Sequence, residues 1–213
     1  MTYNEKFGKE RVDHMDALTL IKTRHSTRKF SDKPVEKVKL EQVIEAGRFA
    51  PSGGNNQTTH FIVIQDKAVL SELVRITREE FAKMDVKPDT YASLATSIKL
   101  SKKGTYVFHY NAPVLILTAN RIGYDNNMAD CSCAVENMML MANALDLGSC
   151  WINQINWLNS NPVMVAYLKT LGMQDGETVY VSMTLGYPDS PNGLPLRRIA
   201  ERKGNPVTYV GEA

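Results

Sequence analysis

Two short clusters hold the residue types most suited to chemistry. Arg24-His25-Ser26-Thr27-Arg28 places two guanidinium groups around a hydroxyl within five residues, which suits a bidentate grip on a phosphate with a short donor between the arginines. About twenty residues later comes Pro51-Ser52-Gly53-Gly54-Asn55-Asn56-Gln57. Its glycines let backbone approach a flat ligand, and its amides can donate and accept at a ring edge. The first cluster reads as an anion seat and the second as a polar wall. Taken singly, each has a plainer reading, as a basic helix end and as a surface loop.

The elements that must position these clusters follow from periodicity. Asp13 and Asp16 precede Met15, Leu18 and Ile21, which share one helical face, so a first helix is expected to end at Arg24. That puts the seat at a helix C-terminus, where the dipole repels anions and the arginines themselves must supply the positive charge. Val38, Leu40, Val43, Ile44, Gly47 and Ala50 mark a second helix that Pro51 stops. His60 to Gln65 reads as a buried strand. Residues 67 to 103 are helical in composition and broken by Pro88; Tyr106, Phe108 and Tyr110 beyond them suit aromatic contacts in a pocket or, as the commoner fate beside a strand, the core.

A second strand is expected over Asn111 to Thr118, lying centrally, with Pro113 near its start. From Asn126 to Leu147 the apolar surface is wider than one stripe, which predicts a helix buried on most sides, with Gly148 as its stop. Ser149 to Ile152 then returns to extended structure and delivers two amides, Asn153 and Gln154. Asn161-Pro162 opens a short helix to about Leu171, and Thr178 to Leu185 alternates into a last strand before Gly186-Tyr187-Pro188. Beyond it lie Arg197 and Arg198.

Length and composition bound the rest. A chain of 213 residues suits one domain spanning 1–213, and 43% hydrophobic with 23% charged residues is ordinary globular usage. A formal charge of +2 without a dense basic stripe argues against nucleic acid as partner. The absence of a signal pattern and of a long apolar run predicts a cytoplasmic protein without a membrane. Cys131, Cys133 and Cys150 lack the spacing of a zinc site and are expected as buried free thiols, and His14, His25, His60 and His109 are too scattered for a metal. None of the 13 glycines lie two apart, so a Rossmann fingerprint is missing, and so is a P-loop.

In order and spacing, the Arg/Ser/Arg opening, the Pro-Ser-Gly-Gly-Asn-Asn-Gln loop, the Ala112-Pro113 strand and the Leu-Gly-Tyr-Pro exit resemble the FMN-dependent nitroreductase family over nearly the whole chain. The resemblance implies an α+β fold, with a small mixed, mainly antiparallel sheet surrounded by helices, assembled as a homodimer. It further implies FMN held by Arg24, His25 through its backbone, Ser26, Arg28 and Arg198 at the phosphate. Pro51, Ser52, Gly53, Asn55 and Gln57, from the same or the partner chain, would line the ribityl and ring, and Ile152, Asn153 and Gln154 would lie along the N5 edge. NADH or NADPH would reduce the flavin, and a nitroaromatic, quinone or similar acceptor would reoxidise it in ping-pong order. Relatives also include reductive dehalogenases and flavin-destroying enzymes, and a flavin-holding module without turnover would share the same site. The chain departs from the family at Thr58-Thr59, where many members carry Pro-Trp, and in lacking a clear match to a lysine and asparagine before the second strand. Both departures bear on the acceptor more than on the flavin.

Overall fold

The structure, a computed structural model, describes residues 16–211. The expected contributions of Asp13 and Met15 to the first helix lie outside the described residues. Helices α1 (Ala17–Thr23) and α2 (Lys37–Arg48) precede β1 (His60–Ile64). Then come α3 (Lys67–Ala82), α4 (Ala92–Lys102), β2 (Val114–Arg121), α5 (Asn127–Ala144) and β3 (Gly148–Ile152). The chain continues through the one-turn α6 (Gln154–Trp157), α7 (Pro162–Thr170) and β4 (Glu177–Gly186). Side-chain caps start three of the helices: Asp16 accepts from Thr19, Asp66 from Ala68 and Val69, and Asn161 from Val163 and Met164.

The four strands form one sheet in the order β1-β2-β4-β3, and every neighbouring pair is antiparallel. The parallel contribution expected of a mixed sheet is confined to one isolated bridge, Ser26 with Ser149. The last strand in sequence is therefore a central one, inserted between β2 and β3.

Helices cover both faces of this sheet. Leu115, Leu117 and Ala119 of β2 pack with α3, α6 and α7 through Leu73, Phe81, Ile155 and Leu168. Val114 and Ile116 pack on the opposite face against Val43 of α2 and Val135 and Met138 of α5. Seven consecutive residues of β2 are consequently buried, and β4 shows near-continuous burial in place of the alternation expected for it. A bulge between Thr118 and Ala119 leaves Tyr180 as the extra residue on β4. It turns Val179 to the α3 face while Val181, Met183 and Leu185 keep to the α5 face.

Several boundaries differ from expectation for local reasons. The strand expected from Asn111 begins at Val114, because Tyr110 and Asn111 are left-handed (φ 56° and 57°) and cannot enter a ladder. α5 is stopped by Asp146 rather than Gly148: Asp146 takes φ 62°, its amide donates to the Asn143 carbonyl and the next amide, of Leu147, donates to Ala142 at 2.8 Å. Gly148 is already the first residue of β3. Cys131 and Cys150 are buried as expected, whereas Cys133 is exposed. Two residues apart on a helix, Cys131 and Cys133 point to nearly opposite sides.

His109 is buried between α4 and β2, and its Nδ1 accepts from the Asn111 amide at 3.1 Å. Burial pushes its pKa down to about 4. The unfolded chain binds that proton near the ordinary histidine value and the folded chain does not, so stability is expected to fall as pH drops from about 6.5 to about 4. Urea unfolding of wild type and His109→Gln at pH 7 and pH 4.5 checks this, with the smaller acid loss expected in the variant.

Candidate functional site

The seat is built on β3. After α1 the chain runs extended beside that strand: Ser26 bridges Ser149, and the Thr27 amide donates to the Ser149 carbonyl at 2.8 Å. Close approach is possible because Gly148 faces Thr27, whose side chain would lie 2.5 Å from an added Cβ. Arg24, the C-cap residue of α1, has its Nε 3.4 Å from Glu136 of α5. Ser26 and Arg28 are exposed, and Arg28 forms no ion pair among the described residues.

The C-terminal segment returns to this place. His25 Nε2 meets the Arg198 carbonyl at 2.5 Å, which brings the backbone of the C-terminal segment beside the Arg24–Arg28 stretch. Arg197 and Arg198 are also distinguished. Arg197 donates to the Asn143 carbonyl and to Asp146, both at 2.6 Å, which ties it to the end of α5. Arg198 is exposed and has no carboxylate partner among the described residues.

A second cluster adjoins the seat. Arg28, Lys29 and Phe30 line a cavity of about 510 Å³ with Tyr106, Val107 and Tyr110. Tyr106, for which the core is the favoured of two expectations, lines the cavity and has a hydrogen-bonded tip: its hydroxyl accepts from Gln154 Nε2 at 2.6 Å and lies 2.8 Å from Ser97 Oγ. Burial pushes this phenol up, so it stays protonated. The first cluster is thereby brought near the amides of the β3–α6 turn. Ile152 is buried in the core and its carbonyl accepts from Ser182, while Asn153 Oδ1 accepts from Trp151 Nε1 at 2.6 Å. The Asn153 amide donates to Gln154 Oε1 at 3.1 Å.

The Pro51–Gln57 loop lies elsewhere. Gly54, Asn55 and Gln57 are all left-handed, at φ 58°, 55° and 51°. Two non-glycine residues in that conformation within three positions signal a loop held in shape by its surroundings. Ser52 Oγ accepts the Gln57 amide at 3.0 Å, and Gln57 Nε2 donates to Asn55 Oδ1 at 3.1 Å. From beneath, the buried Asp130 accepts the Gly53 amide at 3.0 Å and the Tyr124 hydroxyl at 3.1 Å. Asp130 escaped the sequence reading; its signal is a carboxylate in the first turn of an otherwise apolar helix. Pro51, Ser52, Asn55 and Gln57 line a cavity of about 520 Å³ with Arg48, Phe49, Thr59 and Phe61, and no residue of the Arg24–Arg28 stretch lines it. Within one chain, wall and seat face different cavities. Beside the loop, Phe49 is 80% exposed.

Among the described residues there is no cluster of three metal-ligating side chains and no helix long and apolar enough to cross a membrane.

Known proteins share this fold. A nitroreductase from Bacteroides fragilis with bound FMN superposes with a TM-score of 0.81 at 33% identity, covering 93% of this chain and all of that one. A nitroreductase from Desulfitobacterium hafniense, also with bound FMN, gives a TM-score of 0.76 at 22% identity over 93% of this chain and all of that one, a likeness of fold. An Archaeoglobus fulgidus protein, provisionally named NADH dehydrogenase/NAD(P)H nitroreductase, is 30% identical over 81% of this chain and 86% of its own length. The model of the nitroreductase family matches residues 21–187, most of the chain, and the chain belongs to that family.

Proposed function

We propose that the chain binds FMN and passes two electrons from NADH or NADPH to a small electrophilic acceptor, a nitroaromatic or quinone, in ping-pong order. The observation that carries this reading is the meeting of the Arg24–Arg28 stretch with the Arg198 segment on β3. Arg28 and Arg198 are cations without a carboxylate partner among the described residues, at a point where two distant segments join. That arrangement fits a phosphate, which charge-assisted hydrogen bonds from guanidinium groups would hold. The residues present therefore suit FMN.

Arg24, Ser26, Arg28 and Arg198 hold the phosphate in this reading. His25 contributes its backbone there and, through its ring, fastens the C-terminal segment. Asn153 and Gln154, with the Ile152 backbone ahead of them, border the N5 edge. The bound flavin supplies the electron storage, so the chain needs no acid–base triad. What remains for the protein is to hold the cofactor and leave one face open to nicotinamide and then to acceptor.

The Pro51, Ser52, Gly53, Asn55 and Gln57 wall reaches the same flavin from a second copy of the chain. Support comes from the separation of seat and loop within one protomer, and from Phe49, an exposed ring beside the loop of the kind that interfaces cover. The chain is accordingly a homodimer with one FMN per subunit.

An absorbance spectrum of the purified protein, before and after addition of FMN, tests the cofactor. Initial rates of NADH and NADPH oxidation at several acceptor concentrations test the reaction, with parallel double-reciprocal lines expected. A protein that stays colourless in excess FMN overturns the reading.

A further inference from the structure

A cavity to which the FMN reading assigns nothing lies between α3 and the segment leading into β2. Val74, Arg75 and Arg78, on one face of α3, line it together with Val107, His109 and Asn111, and its volume is about 300 Å³. It shares Val107 and Asn111 with the cavity that holds Arg28, but no charged residue is common to the two.

His109 brings an unspent donor to this place. The residue is 6% exposed, and its Nδ1 accepts the Asn111 amide at 3.1 Å. The buried ring is neutral, so its hydrogen sits on Nε2. That N–H meets no acceptor among the described residues, although a buried donor is costly to leave unpaired. The backbone is bent to produce this state. Tyr110 and Asn111 are both left-handed, at φ 56° and 57°, and the turn they make returns the Asn111 amide to Nδ1. Strain in two successive non-glycine residues is thus spent on fixing which ring nitrogen is left to donate.

Arg78 supplies the charge. Its Nε and Nη2 both donate to the Tyr106 carbonyl, at 3.2 and 3.1 Å, which pins one edge of the guanidinium. Nη1 has no acceptor and Arg78 forms no ion pair among the described residues. Arg75 differs: Glu72 and Glu79 each take it at 2.6 Å, and those two carboxylates repel any second negative charge on a ligand. One unspent cation and one neutral N–H therefore select a single carboxylate. Val74 and Val107 offer its body an apolar surface, in a volume at the small end of ligand pockets.

We propose that this cavity is a second small-molecule site, which takes a monocarboxylate with a compact apolar body and binds its carboxylate through Arg78 Nη1 and His109 Nε2–H. The site does not rest on the FMN reading. Cyclohexanecarboxylate is a suitable probe, added to the purified chain in the presence of excess FMN so that the Arg24–Arg28 seat is already filled where it binds flavin.

Imidazole 1H–15N spectra read the ring directly. Before the probe is added, His109 is expected to carry hydrogen on Nε2 and none on Nδ1. The probe should then shift the Nε2–H signal and saturate in the millimolar range. Cyclohexanecarboxamide, the same shape without charge, should bind about tenfold more weakly or worse. His109→Asn keeps an acceptor near the Nδ1 position and removes the Nε2 donor, and Arg78→Lys keeps the charge and removes the fork; each should weaken the probe about tenfold, read by calorimetry. A hydrogen on Nδ1, or no saturable shift at millimolar probe, overturns the site. Undiminished binding in both variants places the carboxylate elsewhere and overturns it too. Inorganic phosphate displacing the probe at equal concentration overturns the choice of a monoanion.

Discussion

Arg28→Ala is expected to weaken FMN binding by about one to two orders of magnitude while leaving the flavin-free fold intact. The side chain is exposed and forms no ion pair among the described residues, so its removal orphans no buried charge. What it removes, on the proposed reading, is a charged hydrogen-bond partner of the phosphate, an interaction contributing about 1.5–3 kcal/mol. Arg28→Lys keeps the charge and loses the fork, so an intermediate affinity is expected. Fluorescence titration of FMN into flavin-free protein reads the affinity, and thermal melting without FMN reads the fold. Equal affinities for wild type and Arg28→Ala would remove Arg28 from the seat.

Gly148→Ala is expected to damage fold and site together. A Cβ there would lie 2.5, 2.7 and 2.8 Å from Thr27 Oγ1, Cγ2 and Cβ. Thr27 cannot swing clear, because its amide is bonded to Ser149 at 2.8 Å and its Cβ is itself among the atoms struck. The strand cannot yield easily either, since Gly148 pairs with Gly186 and an added Cβ at Gly186 would meet Pro113 at 2.6 Å. Overpacking of this kind costs about 1–3 kcal/mol. For a chain of this size that lowers the melting temperature by roughly 2–12 °C. Ser26 and Arg28 flank Thr27, so FMN affinity should fall as well. The double variant Gly148→Ala, Thr27→Ala, which deletes the two nearest atoms, should recover part of both losses; no recovery would place the strain elsewhere.

These two positions differ in how visible they were before the structure. Arg28 belongs to a pattern of residue types at fixed spacing that is visible in the sequence itself, as are the Pro51 stop and the Asn161-Pro162 cap. Gly148 was legible only as a helix stop, which it is not. Asp146 adopts the left-handed conformation with help from the Arg197 guanidinium, 51 positions away in the chain. The need for glycine at 148 comes from Thr27, brought there by tertiary pairing. Tyr106 reads first as core because it precedes a strand, and its polar tip is informative only with Gln154 and Ser97 beside it. Arg197 and Arg198 are chemically identical in sequence and are separated by a carbonyl and a carboxylate at the end of α5. Strand existence was readable from apolar runs, whereas strand order was not, because the placement of β4 depends on pairings remote in sequence.

That placement has a consequence for the newly made chain. β3, the rail on which the seat is laid, hydrogen-bonds within the sheet to β4 alone, and β4 ends at Gly186. Until residues 177–186 have emerged from the ribosome, β3 has no edge to join and the Arg24–Arg28 stretch has no rail to lie along. On the proposed reading FMN would therefore be taken up only once β4 has been made, and a chain truncated before Glu177 is expected to bind none.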